Sequence, residues 1–141
     1  MKNVANRLIV FAVSALAFGT TAFGQTTRMT AEIPFAFRTS TGTLPAGTYL
    51  FTEAPAGQGL HVMVAENKAT GESRMVGIPL ADTWVKPREA SLEFACVANA
   101  CGLKAMNTGT TTLVYQTPRR PKDERALVSV VSVPAKISNG E

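Results

Sequence analysis

Hydrophobic and polar residues alternate with a period of two along most of the chain that follows its N-terminal apolar run. In "AEIPFAFR", the side chains of Ile33, Phe35 and Phe37 fall on one face, and in "TYLFTE" those of Tyr49 and Phe51 do the same. Successive side chains of a strand point to opposite faces, so this period indicates β-strands rather than helices. The same alternation elsewhere predicts about seven to eight short strands.

Turn residues separate these segments. The stretches "TSTG", "LPAG", "APAGQG", "NKATG" and "MNTGT" each supply Gly, Pro or Asn where a turn needs a fixed or positive φ. Pro34 and Pro79 stand inside apparent strands and should mark an edge, a strand start or a bulge. The sequence therefore predicts an all-β fold, a single small antiparallel β-sandwich or barrel.

The segment "LHVMVAE" contains the single histidine of the chain. Its alternation places Leu60, Val62 and Val64 on one face, which we expect to be the core face. His61 and Met63 then lie on the opposite face. We expect His61 to point into solvent and to have no catalytic role.

Residues 1–24 have the pattern of a cleaved signal peptide. Lys2 and Arg7 give a positive start, the apolar run "LIVFAVSALAF" follows, and Ala22 and Gly24 fit a small-residue cleavage site. The run is well short of the roughly 20 apolar residues that cross a membrane as a helix. An uncleaved N-terminal anchor is the alternative. The expected destination is the periplasm or the cell exterior.

Cleavage leaves residues 25–141 as one all-β domain, with residues 135–141 expected to be a flexible tail. Loss of Lys2 and Arg7 lowers the formal net charge from +4 to +2. So small a charge gives no reason to expect nucleic-acid binding. No later stretch is apolar and long enough to insert stably into a membrane. The mixed-sign run "RRPKDER" (119–125) is expected to be a loop or a single helical turn.

Two cysteines, Cys96 and Cys101, lie in "CVANAC". An even number of cysteines in an exported chain predicts a disulfide. Zinc would need more ligands than two thiolates and one histidine provide. A redox motif would more commonly have two residues between its cysteines. We expect the bond to close the end of a hairpin.

The stretch "IPFAFRTSTGTLPAGTYLF" is the most regular in the chain, and we interpret it as structural rather than as a site. Pro45 would preset φ in a turn, and Gly47 would take the positive φ that returns the chain. The aromatic residues on either side would then pack across a pair of strands. The predicted structural residues are Ile33, Pro34, Phe35, Phe37, Leu44, Pro45, Gly47 and Tyr49.

This stretch resembles the opening signature, IPFxFxxGxxxLPAGxYxV, of a family of small secreted bacterial proteins that is frequent in acidobacteria and has no known function. Leu60, Val62 and Gly71 stand where that pattern continues. The resemblance covers about residues 31–80. "CVANAC" departs from it, because an aromatic-rich turn is common there in the family. The resemblance implies export and a β-fold and no particular activity.

Groups that could carry out catalysis are sparse. The chain has no Gly-x-Ser-x-Gly or Ser-x-x-Lys motif, and no phosphate-binding, EF-hand or zinc motif. Its carboxylates are scattered singly. We therefore predict no catalytic residue, no metal and no cofactor. A small hydrolase is a lesser alternative, because a pair of carboxylates can form in space.

Trp84, in the polar stretch "ADTWVKPRE", is the main candidate for ligand contact. It is the single tryptophan, and Lys86 and Arg88 follow it. Such a cluster could stack on a sugar ring or hold an anion. Burial of Trp84 between two strands is the interpretation we favour, because tryptophan is usually buried.

From these observations we expect a secreted, non-catalytic β-domain that serves as an interaction or structural module of the cell envelope or exterior. Its partner would be a protein or an envelope polysaccharide. The alternative is a carbohydrate-binding module that uses Trp84 and Tyr115 on an exposed face. The sequence does not fix the oligomeric state.

Overall fold

Alternating apolar residues and frequent turns produce strands throughout residues 26–116 and 128–139, the part of the chain that the computed structural model describes. The strands in this part are β1 (Thr27–Ile33), β2 (Phe37–Thr39), β3 (Gly42–Leu44), β4 (Gly47–Gly57), β5 (Leu60–Asn67), β6 (Ser73–Gly77), β7 (Ala81–Trp84), β8 (Ser91–Val97), β9 (Ala100–Asn107), β10 (Thr111–Val114) and β11 (Val128–Asn139). Within the same residues, no helix has the length and apolarity that a membrane crossing requires.

The strands form one curled sheet in the order β3-β2-β9-β8-β11-β1-β4-β5-β6, and a branch adds β10 to β9 and β7 to β10. Every pair is antiparallel except β2 with β9, which is parallel. The prediction of a small all-β protein is therefore confirmed. The described residues contain eleven strands rather than seven or eight because several of them are only three or four residues long.

The concave face of the sheet holds the core. Its centre is a group of aromatic rings packed edge to face. The ring centroid of Phe37 lies 5.4 Å from those of both Tyr49 and Phe94, and the ring centroid of Phe35 lies 5.1 Å from that of Phe94. Phe37 is buried, as predicted, whereas Phe35 is half-buried and packs at the margin of the cluster. Edge-to-face contacts of this kind add to the stabilisation that comes from area burial.

The stretch "IPFAFRTSTGTLPAGTYLF" contains more than the two strands that we expected. It includes the end of β1, the β2–β3 hairpin and the start of β4, and "LPAG" links β3 to β4 without pairing them. Positive φ occurs at Gly42 (148°) in the β2–β3 turn, not at Gly47. The predicted role of Gly47 is therefore wrong, because Gly47 already pairs with Ile33 in the extended β4–β1 ladder.

A hydrogen bond between the side chain of Tyr49 and the backbone of Pro45 accounts for the spacing between "LPAG" and the tyrosine. Its hydroxyl donates to the carbonyl oxygen of Pro45 at 2.6 Å and accepts a weaker bond of 3.4 Å from Nδ2 of Asn67. The side-chain oxygen of Asn67 accepts bonds from the backbone N–H groups of Ala69 and Thr70 in the turn between β5 and β6. One buried network thus joins two turns that are far apart in sequence.

The curl brings the β2–β3 turn against β6, near the opposite end of the sheet. The N–H and the hydroxyl of Ser40 both donate to the carbonyl oxygen of Val76, at 3.3 and 2.9 Å, and the hydroxyl of Thr41 donates to the carbonyl oxygen of Met75. Gly77 has φ 131°, and a Cβ atom there would overlap the hydroxyl of Ser40. A glycine is required at this junction for both reasons.

Strand β5 presents the face opposite to the one we predicted. Its register places Ala65 beside Phe51 and Met63 beside Glu53. Met63 and Ala65 belong to the buried core, so the face shared by His61 and Met63 is the concave one. Apolar residues occupy both faces of β5, and only the pairing with β4 decides between them.

Several further predictions concern the termini, the loops and the prolines. Residues 135–139 are not a tail: they form the end of β11 and pair with β1, for example Ala135 with Ala31. The first four residues of the polar stretch that contains Trp84 form a strand, β7. The predicted signal peptide (1–24) and the charged run 119–125 lie outside the described residues. Pro34 and Pro79 lie between strands, so the prediction that they mark an edge, a strand start or a bulge is wrong; Pro34 directly follows β1, and Pro79 stands two residues after β6, where no ladder hydrogen bond from a backbone N–H is needed.

Candidate functional site

A cleft of about 360 Å³ opens where the β4–β5 hairpin passes the connection between β6 and β7. Three of its lining residues are ionisable: Glu53 on β4, His61 on β5 and Asp82 on β7. Its apolar wall consists of Leu60, Val62, Met63, Ile78, Pro79, Leu80 and Leu113, together with the small residues Gly59 and Ala81. The cleft therefore combines acidic groups with a mainly aliphatic wall.

Glu53 and His61 form a pair at one side of the cleft. Nδ1 of His61 lies 3.1 Å from Oε1 of Glu53, and their side chains are 60% and 36% exposed. His61 is thus at the surface, as predicted, although it lies on the concave side and has a carboxylate partner. A pair this accessible contributes little to the free energy of folding.

Strand β7 forms another side of the cleft. Its ladder places Asp82 opposite Leu113 and Trp84 opposite Thr111 on β10. Residues two apart on a strand share a face, so Asp82 and Trp84 project on the same side of β7, about 7 Å apart. The face of β7 that lines the cleft therefore continues to Trp84.

Trp84 is 71% exposed, which corrects our expectation that it is buried between two strands. The physical reason is the position of its strand. Among the described residues, β7 pairs with β10 alone and lies at the margin of the sheet. An indole at such a margin has no second layer to cover it, so it is available to a ligand.

The two cations that follow Trp84 do not gather around its ring. Arg88 donates from its backbone N–H to the carbonyl oxygen of Gly109 at 2.9 Å and from Nη2 to the hydroxyl of Thr112 at 3.2 Å. Thr112 is adjacent to Leu113 on β10 and thus points to the opposite face from the cleft. Lys86 is exposed in the loop after β7. The predicted Trp84–Lys86–Arg88 anion cluster is therefore not assembled.

Tyr115 is buried and packs in the core, which contradicts its predicted position on an exposed face beside Trp84. Its hydroxyl has no hydrogen-bond partner among the described residues. Burial raises the pKa of this phenol, and the negative charge of Glu53 raises that pKa further. Tyr115 therefore lies within electrostatic reach of the cleft and stays neutral, but a ligand on the surface cannot stack on it.

The disulfide is present between Cys96 and Cys101, as predicted. The two residues oppose each other in the β8–β9 ladder, one position before the turn at each side. Cys101 also pairs with Phe37 in the parallel ladder between β9 and β2. The bond thus fixes the end of the hairpin on which the aromatic core rests, and it lies away from the cleft.

Sequence analysis did not identify Glu53 and Asp82 as site residues. They are 29 positions apart, and each is a single carboxylate in a polar segment. Only the pairing of β4 with β5 and of β7 with β10 brings them to one cleft. No group of three or more His, Cys, Asp or Glu side chains within residues 26–116 and 128–139 is arranged to hold a metal ion.

Comparison with known proteins gives no relative. No family model matches the chain, no curated protein matches it, and no solved structure matches it at a significant level. The resemblance carried by "IPFAF" and "LPAGTY" therefore stays a prediction.

Proposed function

We propose that this protein is an exported, non-catalytic interaction domain that binds a partner protein at the cleft. One observation carries the proposal. Four large apolar side chains are exposed around the cleft and on the adjoining strand face: Leu60 (50%), Ile78 (57%), Leu80 (67%) and Trp84 (71%). Such a concentration of apolar surface is typical of a site that is covered in a complex.

The composition of the cleft supports a binding role over covalent catalysis. Among the described residues its lining includes no serine, threonine, cysteine or lysine side chain, so the groups left that could act as nucleophiles are the carboxylates of Glu53 and Asp82 and the imidazole of His61. The imidazole of His61 is paired with Glu53 and is mostly in solvent. Acid–base catalysis works best with positioned groups in a site that excludes water, whereas this cleft is partly open to solvent.

The disulfide is compatible with export, since such bonds persist in oxidising compartments. We place the protein in the periplasm or outside the cell. This part of the proposal depends on the charged and apolar pattern of residues 1–24, and fractionation of cells that express the full chain tests it directly.

Carbohydrate binding is the second candidate, and the exposure of Trp84 is the observation that favours it. An indole face open to solvent can stack on a sugar ring. The burial of Tyr115 removes the second aromatic residue of the surface that we expected. The aliphatic surroundings of the cleft fit a protein segment better than a hydroxyl-rich sugar.

Photo-crosslinking in cells tests the proposed function. A photoreactive amino acid is placed at Leu80 and, as a matched control, at Val130, an exposed apolar position on β11. We expect a discrete protein adduct from position 80 that is lost when Ile78→Asp is added, and none from position 130. Equal labelling at both positions, or no adduct at position 80, would contradict the proposal.

Substitution of His61 separates binding from catalysis. His61→Ala should leave the melting temperature and the crosslinking pattern nearly unchanged, because surface substitutions usually alter stability by less than about 0.5 kcal/mol. Loss of a measurable hydrolytic activity in His61→Ala, with the fold intact, would show that the domain is an enzyme.

A further inference from the structure

The charged side chains described on the lining of the cleft are acidic. Glu53 and Asp82 are both on its lining, and no lysine or arginine is found there among the described residues. Arg88, a cation near β7 in sequence, is bonded to Thr112 on the other face of β10. A ligand that enters the cleft thus meets two carboxylates and, within the described part of the chain, no lysine or arginine side chain that would compensate them.

The surroundings of these carboxylates make a cation more favourable there than at an ordinary surface position. Leu80, which precedes β7, and Leu113, which lies across the ladder from Asp82, both line the cleft. The buried hydroxyl of Tyr115, which has no partner among the described residues, lies within electrostatic reach of Glu53. Apolar walls lower the local dielectric constant and strengthen a charge pair that forms between them.

Trp84 also favours a cationic ligand. It projects on the strand face that carries Asp82, at the adjoining position of β7. The face of an indole attracts an ammonium or guanidinium group and also packs against an aliphatic stem. Carboxylates, an aromatic face and aliphatic walls together match a side chain that is apolar along its length and positive at its end.

The unpaired edge of β7 indicates that the ligand is an extended segment of chain. Among the described residues, β7 pairs only with β10, so its other edge carries unpaired backbone groups beside the cleft. An extended segment at such an edge gains main-chain hydrogen bonds and directs alternate side chains to one face. Asp82 and Trp84 on β7 have the same alternation, so alternate side chains of the segment would meet this face of the strand.

We propose that the cleft binds a short extended segment of a partner protein in which a lysine or arginine stands between aliphatic residues. This inference rests on the proposed function and specifies the partner that the site selects. The cationic group lies between Glu53 and Asp82, its stem lies along Trp84, and the neighbouring aliphatic side chains contact Ile78 and Leu80.

Fluorescence titration tests the inference, because Trp84 is the single tryptophan of the chain and reports directly on the site. The probes are three five-residue peptides with blocked ends, Val-Lys-Val-Lys-Val and its Gln and Glu counterparts. We expect a saturable change in emission with the lysine peptide and none with the glutamate peptide. Binding should weaken as salt is raised, since screening reduces the attraction between accessible charges.

Charge-removing variants locate the interaction. Glu53→Gln and Asp82→Asn should each raise the dissociation constant of the lysine peptide about three- to tenfold, the range expected for loss of one partly accessible ion pair. Glu66→Gln is the matched control, because it removes a carboxylate from β5 on the face opposite to Ala65, outside the cleft. This variant should leave the dissociation constant of the lysine peptide unchanged. Circular dichroism confirms that each variant is folded.

Several results would overturn the inference. Equal binding of the three peptides would show that charge plays no part, and an equal effect of Glu66→Gln would show attraction by the whole surface. Saturable binding of a neutral oligosaccharide such as cellotetraose, with no response to the lysine peptide, would instead favour the carbohydrate alternative. If photo-crosslinking at Leu80 yields a partner while no lysine peptide binds, the proposed function stands and this inference is wrong.

Discussion

At the scale of single residues, burial separates side chains that looked equivalent in the sequence. Phe35 and Phe37 alternate on what was predicted to be one face of one strand, yet β1 ends at Ile33 and β2 begins at Phe37. Phe37 is enclosed by the rings of Tyr49 and Phe94, whereas Phe35 touches Phe94 from the margin. The two positions should therefore respond differently to truncation.

Phe37→Ala should lower the free energy of unfolding by about 3–5 kcal/mol, because a fully enclosed ring is removed and a cavity remains. Phe35→Ala should cost about 2 kcal/mol, because part of its ring is already exposed to water. Urea denaturation of both variants measures the difference. A larger loss for Phe35→Ala than for Phe37→Ala would mean that the packing is not as described.

At the scale of elements, contacts at turns add to the strand ladders that hold the sheet together. The turn between β2 and β3 binds the carbonyl groups of Met75 and Val76 on β6. The disulfide fixes the β8–β9 turn, and the Tyr49–Asn67 bond joins two further connections. These local features lend themselves to separate tests.

Gly77→Ala tests the junction between the β2–β3 turn and β6. Its positive φ and the proximity of Ser40 both oppose a side chain, and we expect a loss of about 1–3 kcal/mol. Gly47→Ala is the control: at that position φ is not positive, and a Cβ atom would lie 3.5 Å or more from the nearest side chain. Calorimetry should show unchanged or slightly raised stability for Gly47→Ala.

Replacement of both Cys96 and Cys101 by serine tests the contribution of the disulfide. The bond spans a sequence separation of five residues, so the chain-entropy argument predicts a loss of only about 2 kcal/mol. The variant should still fold, with the same circular dichroism spectrum and a lower urea midpoint. Mass spectrometry of the unreduced wild-type protein should show two hydrogens fewer than the reduced form, and free thiols in the oxidised preparation would refute the assignment.

At the scale of the whole molecule, the fold class was predictable and the site was not. Alternation and turn residues are local, and they sufficed for the strands around Tyr49 and Phe51 and for the bridged hairpin at Cys96. The exposure of Trp84 and the burial of Tyr115 depend on which strand covers which, and such tertiary contacts leave no local pattern. On β5, apolar residues on both faces made the alternation ambiguous, and the pairing with β4 decided the core side.

Stability of the whole molecule should decline in alkali because two tyrosines are buried. Burial is the main cause that raises the pKa of both Tyr49 and Tyr115 above the ordinary value. The unfolded chain then loses these protons first, near pH 10. The contribution of these two tyrosines to stability should be constant below about pH 10 and should fall as the pH rises above it, by at most about 1.4 kcal/mol per pH unit for each tyrosine.

Tyr115→Phe separates the contribution of Tyr115 from that of other groups that titrate in alkali. The variant should show a shallower decline in urea midpoint between about pH 9 and 11 than the wild type. At neutral pH it should be more stable by about 1 kcal/mol, because it removes a buried hydroxyl that has no partner. An unchanged alkaline slope would show that Tyr115 does not contribute to the decline.

The central position of β11 has a consequence for the order of folding. This strand alone pairs both with β1 and with β8, and it thereby joins the half that contains β4, β5 and β6 to the half that contains β2, β3 and β9. Because β11 follows the ten other described strands in the chain, the ladders that join the two halves can form only after β11 has been synthesised. Pulse-labelling hydrogen exchange should show β1, β8 and β11 gaining protection together, in one late and slow step that is typical of pairings between distant segments.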